Sequence, residues 1–246
     1  MEVVEPAEMI SMYEDRAAYN AFLSECYSRI YSTDTLAWGD APNTDLARWF
    51  GTPRGRILDF GCGYGKNFGH LLARGATVVG VDICERGIEL ARRRFAREVE
   101  EGRLELVLGD ETDIRGAFDL IVCNGVIVDH LATRRSEIAG RLGGALAPTG
   151  SMLVTVFGRS DPACGVGEEV EPYTFIHEFG FPVHYFDQAE LIELFERDHV
   201  RHVETRLKSD DFPQPHVHET HVFVLGPDPA AAWCMEVEPL SIPHLA

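Results

Sequence analysis

The stretch Ile57-Leu58-Asp59-Phe60-Gly61-Cys62-Gly63-Tyr64-Gly65-Lys66-Asn67 limits what this chain can fold into more than any other. An apolar run of strand type meets three glycines at alternate positions, and helical periodicity follows. Glycine lets the backbone turn sharply and removes the Cβ atoms that would keep a ligand off the main chain. A dinucleotide-binding turn of the G-x-G-x-x-G kind would need glycine at position 66, where the chain has Lys66. Asp59, two residues before the first glycine, suits a ligand carrying an ammonium group and opposes a pyrophosphate, because two like charges would face each other.

The rhythm of the turn recurs along the chain. Short apolar runs at Arg56–Phe60, Thr77–Val81, Leu104–Leu108, Phe118–Cys123 and Ser151–Phe157 predict strands. Helical stretches at Asn67–Arg74, Arg86–Glu100 and Arg134–Leu146 lie between them, the last closed by Pro148 and Gly150. Alternation of this kind predicts a parallel sheet covered on both faces. In the second helix Leu90, Phe95 and Val99 are expected to form one buried face, with the arginines between them on a solvated one. Two late runs, His199–Leu207 and Thr220–Leu225, are joined by a loop containing Asp210, Asp211, Pro213 and Pro215. That loop is too short for a helical crossover, so the last pair is expected to be antiparallel. Residues 1–50 lack strand signals and predict a helical lid, with helices near Ala17–Tyr31 and Asp45–Phe50. The main domain is expected over 51–226, with a lid insertion at about 159–198, and residues 227–246 form a proline-containing tail.

Composition excludes several functions. With 22 Lys+Arg against 40 Asp+Glu the 246-residue chain has a formal net charge of −18, which repels a phosphate backbone and an anionic lipid surface. Nucleic-acid and membrane partners are therefore not expected. An uncharged or cationic small molecule suits such a surface better. The apolar runs are too short for a transmembrane helix, and no signal peptide is expected. Six cysteines without paired spacing support neither a zinc site nor a disulfide framework, so a reduced, cytoplasmic setting is expected.

The arrangement Asp59-x-Gly61-x-Gly63-x-Gly65 resembles motif I of the class I S-adenosylmethionine-dependent methyltransferases. Supporting motifs stand in the order that family shows. Asp82 ends the second run about twenty residues after the first glycine, Gly109-Asp110 ends the third, and Cys123-Asn124-Gly125 ends the fourth. The resemblance implies a Rossmann-like, doubly wound α/β fold with a seven-stranded mixed sheet. It implies S-adenosylmethionine as cofactor and S-adenosylhomocysteine as product, held by Asp59, Gly61, Gly63, Gly65, Asp82, Ile83, Asp110, Glu111, Asn124 and Gly125. Asp82 would accept the ribose hydroxyls, and Asp110 the adenine amine. At a finer level Trp38-Gly39-Asp40-Ala41-Pro42 and the stretch His177 to Phe195 are similar to small enzymes of the tellurite-resistance and thiopurine methyltransferase type, which implies a small-molecule acceptor. Aminocarboxypropyl transfer or cyclisation on the same cofactor, and a non-catalytic binder, are the alternatives.

Methyl transfer is an in-line displacement, so positioning and water exclusion are the main tasks, and a base is needed only for a protonated nucleophile. Tyr13, Tyr19, Tyr31 and Trp38 are the first lid's aromatic candidates for facing a sulfonium. Tyr173 and Tyr185, from the second lid, are candidates for the acceptor. His177 and His184 are the candidate bases, and His130 is a candidate lining residue. In a strand, His216 and His218 would share a face and His221 would oppose them, which weakens a three-histidine metal site. No metal is expected. The oligomeric state is open.

Overall fold

A computed structural model describes residues 12–32, 36–177, 180–195, 200–210 and 216–226. The expected 227–246 tail and the loop residues Asp211, Pro213 and Pro215 lie outside the described residues.

Seven strands form one sheet: β1 (Arg56–Phe60), β2 (Thr77–Asp82), β3 (Leu104–Leu108), β4 (Phe118–Asn124), β5 (Leu146–Phe157), β9 (Val200–Asp210) and β10 (His216–Leu225). Their order is β3-β2-β1-β4-β5-β10-β9. The first five are parallel, and β10 runs antiparallel to both β5 and β9. Alternation along each strand splits the core in two. Leu58, Phe60, Val79, Val81, Ile121 and Cys123 enter one apolar cluster, while Ile57, Val78, Leu120, Val122 and Leu153 enter another. Side chains two apart share a face, so a sheet with apolar residues at every position must be covered on both sides. The chain reverses its direction of travel across the sheet between β1 and β4, and in open α/β sheets ligands bind outside the carboxyl ends of the strands at such a point.

The helices are α1 (Arg16–Ile30), α2 (Thr44–Phe50), α3 (Phe68–Leu71), α4 (Glu85–Arg94), α5 (Ala96–Glu100), α6 (Ala132–Gly144) and α7 (Gln188–Leu194). Several sequence expectations change here. The helix expected over Asn67–Arg74 is a single turn. The one expected over Arg86–Glu100 breaks at Phe95, whose φ of −120° and ψ of 35° lie outside the helical region. The break resets the helical phase, so Ile88, Leu90 and Ala91 are buried while Phe95 and Val99 are only partly so. The late hairpin is also longer than its apolar runs, because polar residues from His216 onward still pair with β9. The insertion after β5 contains a small antiparallel sheet that the sequence did not suggest: β6 (Glu168–Glu171), β7 (Thr174–Ile176) and β8 (Pro182–His184).

Candidate active site

The glycine turn is tied to the next strand before any ligand is considered. Gly61 and Cys62 donate backbone N–H bonds to the Val81 carbonyl at 2.8 and 3.2 Å. Gly63 N–H donates to Asp82 Oδ2 at 2.6 Å, and Cys84 N–H to Asp82 Oδ1 at 2.8 Å. Burial raises the Asp82 carboxyl, and those two N–H groups partly offset the shift. Gly61, Gly63 and Gly65 have φ of +72°, +51° and +76°, a region L side chains avoid. A Cβ on Gly63 would stand 2.7 Å from the Tyr31 hydroxyl.

Above this turn opens a cavity of about 920 Å³, within the size range of small-molecule and cofactor pockets. Gly61, Gly63, Asp82, Ile83, Asp110, Glu111, Asn124 and Gly125 line it, as do Tyr31, Trp38, His130, His177 and Tyr185. Carboxylates from two successive strand ends, Asp82 at β2 and Asp110 with Glu111 after β3, therefore meet one space, with an aromatic wall beside them. Tyr31 meets Trp38 and Tyr64 edge-on, each at 5.6 Å between ring centres. Tyr27 stacks on Phe181 at 5.6 Å and so links α1 to the inserted lid. A nucleoside with a cationic sulfonium fits these groups: carboxylates to accept from hydroxyls and an amine, bare glycine backbone, and π faces for the positive centre. At Gly125, with φ of +69°, a Cβ would meet nothing within 4 Å, so the wall there is open to a ligand.

Other expected residues stand elsewhere. Asp59 is buried behind the turn, where Asn67 Nδ2 donates to both of its oxygens at 3.4 Å, and burial lifts its carboxyl to about 7. It and Gly65 shape the turn without forming the cavity wall. Tyr13 and Tyr19 belong to the core, Tyr19 donating its hydroxyl to the Asp129 carbonyl. Tyr13, ahead of α1, meets Tyr19 on that helix edge-on at 5.0 Å, and both join the apolar cluster that holds Leu58 and Phe60. Tyr173 is exposed at a positive φ of 59°, with the Arg159 guanidinium 3.8 Å over its ring. His184 is sealed in the lid, its Nδ1 2.7 Å from Thr174 Oγ1 and its Nε2 2.7 Å from Glu190 Oε1. Burial lowers its basicity, and it does not reach the cavity. Buried polar groups need partners, and this network supplies them for a structural histidine. His177 does reach the cavity, with Nε2 2.9 Å from the Tyr185 hydroxyl. His130 also lines it, held neutral because burial, then Arg134 and Arg135, lower its pKa to about 3.

Asp110 and Glu111 are already engaged. Thr112 donates its N–H and hydroxyl to Asp110 Oδ1 at 2.8 and 2.6 Å, while Asn20 Nδ2 and Arg134 Nη2 reach Oδ2 at 2.7 and 3.3 Å. Burial raises the Asp110 carboxyl, but these donors outweigh it and hold the pKa below the usual carboxylate value. Arg134 also forks onto Glu111.

Several cavity residues carried no assigned role in the sequence. Asn43 caps α2 by accepting from Asp45 N–H at 2.9 Å, and its Nδ2 donates to Asn124 Oδ1 at 2.8 Å. Its N–H meets Asn67 Oδ1 at 3.1 Å, so the N-terminal segment is stitched to the glycine turn. An Asn before an amphipathic stretch is a capping signal, but its second role arises only from the fold. Asp129 is buried on the turn after β4 and accepts the Tyr27 hydroxyl at Oδ2. No donor among the described residues meets Oδ1. Burial raises this carboxyl to about 7, with Tyr27 opposing. Its burial arises only from the fold.

The histidines of β10 divide as their spacing implies. His216 and His218 both line the cavity, and their Nε2 atoms are 2.8 Å apart. His221 points to the other face, bonded to Thr205 Oγ1 at 2.8 Å and the Phe186 carbonyl at 3.0 Å. Among the described residues no three His, Cys, Asp or Glu side chains gather as a metal site, and no helix is long and apolar enough to cross a membrane.

Residues 57–150 match the family model described as a methyltransferase domain. That segment is similar to a methyltransferase domain, and it makes up less than half of the chain. A magnesium-protoporphyrin O-methyltransferase of Rhodobacter capsulatus is 34% identical over 89 residues, 36% of this chain and 39% of that protein. The chain spans about two-fifths of the length of the curated relatives it matches. The crystal structure of the Burkholderia thailandensis 1,6-didemethyltoxoflavin-N1-methyltransferase, with 1,6-didemethyltoxoflavin and S-adenosylhomocysteine bound, aligns with a TM-score of 0.62 at 22% identity, covering 92% of both chains. TehB of Haemophilus influenzae aligns at 0.57 and 19% identity, over 81% of this chain and 65% of its own. These structural likenesses establish the fold. The chain thus has the Rossmann-like architecture its motifs implied.

Proposed function

We propose that this methyltransferase domain moves the methyl group of S-adenosylmethionine to an oxygen of a small molecule held in the cavity, with Asp129 as general base. The observation that carries the reading is a buried carboxyl at the cavity wall, one oxygen held by Tyr27, beside the strand ends suited to the cofactor. When bound, the cofactor supplies an electrophilic methyl on a sulfonium.

The chain's own residues do the rest. Asp82 is placed for the ribose hydroxyls, next to Ile83. Asp110 and Glu111 form the adenine end, where an amine would replace Asn20 on Asp110. Asn124 and Gly125 border the reacting centre, with Tyr31 and Trp38 closing over the cation. Asp129 takes the acceptor's hydroxyl proton as the new O–C bond forms and the C–S bond breaks, its electron pair staying on sulfur as S-adenosylhomocysteine. A base whose pKa lies near the working pH is the most effective kind, and a carboxyl at about 7 meets that condition. Tyr27 keeps Asp129 oriented. His177, with Tyr185, faces the acceptor from the lid and excludes water. The relative of Rhodobacter capsulatus is an O-methyltransferase, which supports an oxygen acceptor.

Calorimetry with S-adenosylmethionine and S-adenosylhomocysteine, followed by mass spectrometry after incubation with a panel of phenols and hydroxy acids, tests this. Binding with formation of S-adenosylhomocysteine and a methylated oxygen is expected. No cofactor binding sinks the reading, and methylthioadenosine as product would replace methyl transfer with aminocarboxypropyl transfer.

A further inference from the structure

The segment that carries Asp129 is pinned more heavily than its sequence suggests. It leaves β4 in a short turn, Ile127–Asp129, runs extended through His130 and Leu131, and enters α6 at Ala132. Backbone in such a bridge has no ladder or helical partner for its polar groups, so other parts of the chain must supply them. The first four N–H groups of a helix likewise lack intrahelical acceptors. Leu131 stands at the cap position of α6 and has no side-chain acceptor to offer.

Each missing partner comes from a different element. The Asp129 carbonyl accepts from the Tyr19 hydroxyl on α1. The His130 carbonyl accepts from Arg135 Nη1 at 2.7 Å. Ala132 N–H donates at 2.9 Å to Oε2 of Glu171, the last residue of β6 in the inserted lid. Arg135 Nη1 is also 3.4 Å from that same oxygen, so one carboxylate of the lid receives both the helix start and the guanidinium. Arg135 lies a turn into α6, where its own N–H donates to the Leu131 carbonyl at 2.9 Å. Its side chain therefore folds back over the bridge it follows.

Arg135 is buried, with only 5% of it exposed. Its Nη2 is 3.8 Å from Glu190 Oε1 on α7, and its guanidinium faces the Phe186 ring at 5.7 Å. Glu190 in turn meets His184 of β8 at 2.7 Å. A buried arginine with two acidic partners has its charge answered within the fold, and what it gives the site is geometry. The groups that face the Asp129 carboxyl itself are Tyr27 of α1, which donates to Oδ2, and Tyr185 of the lid, which lies within its field. The neighbouring His130 is held neutral by burial and the two arginines that follow it. Arg135 acts on the backbone beside the carboxyl.

We propose that Arg135 is a positioning residue: with Glu171 it clamps the Asp129-bearing turn to the inserted lid, so that packing of the lid and placement of the base are one event. The inference rests on the proposed function, in which Asp129 is the base. The lid lines the acceptor side of the cavity with Ile176, His177, Val183 and Tyr185. Held only by its own apolar contacts, a lid could pack without regard to the base. Here it cannot, because the carboxylate that meets the start of α6 belongs to β6. A misplacement of about 1 Å can cost on the order of 10²-fold in rate, so the backbone next to the base is where rigidity counts most.

NMR titration of the full chain, isotope-labelled at the aspartate carboxyls, tests this, with Asp129→Asn and Asp59→Asn assigning two resonances. In the parent both carboxyls should titrate at about 7. In Arg135→Met the turn loosens and water reaches Asp129, so its midpoint should fall by at least roughly one pH unit, while that of Asp59, behind the glycine turn, stays in place. Glu171→Ala should move Asp129 the same way by about half as much, whereas Glu171→Gln should keep it within roughly 0.3 of the parent, because an amide oxygen still accepts Ala132 N–H. The direction separates holding from charge, since loss of a nearby cation would by itself raise a carboxyl. An unmoved Asp59 shows that a variant is folded. An Asp129 midpoint that stays or rises in either folded alanine or methionine variant would overturn the proposal, as would an equal fall at Asp59. A parent Asp129 that titrates at about 4 would instead strike the base reading, and this inference with it.

Discussion

The two ends of the cavity are built on different principles. At the proposed cofactor end, the carboxylates and glycines stand at the ends of parallel strands or on the turns that follow them, and the backbone itself is fastened by Asp82. At the acceptor end, side chains from the inserted lid, α1 and the β9–β10 hairpin converge although they lie far apart in the chain. Asp161 and His218 meet across 57 positions, and Tyr27 and Asp129 across 102. The first end tolerates little change because main-chain geometry is at stake. The second can change its chemistry one side chain at a time, as sites on loops over a rigid scaffold commonly do.

The sharpest break of that contrast is Asp129→Asn. If Asp129 is the base, turnover of a hydroxylated acceptor should fall by about 10²–10³-fold, with cofactor affinity unchanged in calorimetry. In the parent protein turnover should rise with pH through about 7, where the buried carboxyl ionises, and the variant should lose that limb. Unchanged turnover would remove the acceptor end's distinctive group.

Asp82→Ala should cost the cofactor end nearly as much. Two N–H groups lose their acceptor and the ribose loses its partner, so the dissociation constant for S-adenosylhomocysteine should rise roughly a hundredfold. An affinity within about threefold of the parent would mean that the turn holds itself.

Asp59 and Asp129 both have carboxyls lifted to about 7 by burial. An acid whose folded pKa lies above its unfolded one binds more protons when folded. The fold is then most favoured below about pH 4, and that contribution is lost as pH rises toward about 7. Denaturant unfolding of the ligand-free protein should show this decline, on the order of 4 kcal/mol for one such group, and Asp59→Asn should flatten part of it. A stability that increases over this range would show that both carboxyls are ionised in the fold.

The smallest effect expected is that of His184→Ala. Loss of the links to Thr174 and Glu190 should lower stability by about 1–3 kcal/mol in denaturant unfolding, with the pH profile of turnover unmoved. A shifted profile would bring His184 back among the bases.

Most of the residues expected at the cofactor end do line one cavity, because their signals are local. A glycine that needs positive φ, or an acid that closes an apolar run, declares itself within a few residues. Asp59 is the instructive departure: it ends β1 before the first glycine, yet its side chain meets Asn67 behind the glycine loop and does not line the cavity. At the acceptor end the sequence offered residue types without places. His177 and His184 stood alike in an aromatic-rich stretch, and only the small β6–β8 sheet separates them, one toward the cavity and one into the lid's interior. The spacing of His216, His218 and His221 did give their faces, because period two is local, but Asp161, which orients His218, could not have been found that way.

By itself, then, the sequence determined a parallel sheet covered on both faces, an antiparallel closing pair, and a glycine turn suited to S-adenosylmethionine. These follow from short-range periodicity and from backbone conformations that few residues allow. Tertiary structure alone decided which carboxyl is buried at the cavity wall, which tyrosines face the core, and that His216 and His218 share one wall with Asp161 behind them. Burial and electrostatic fields are set by residues that meet across the whole chain, so the chemistry of the acceptor end comes into being only when the sheet closes and the lid packs over it.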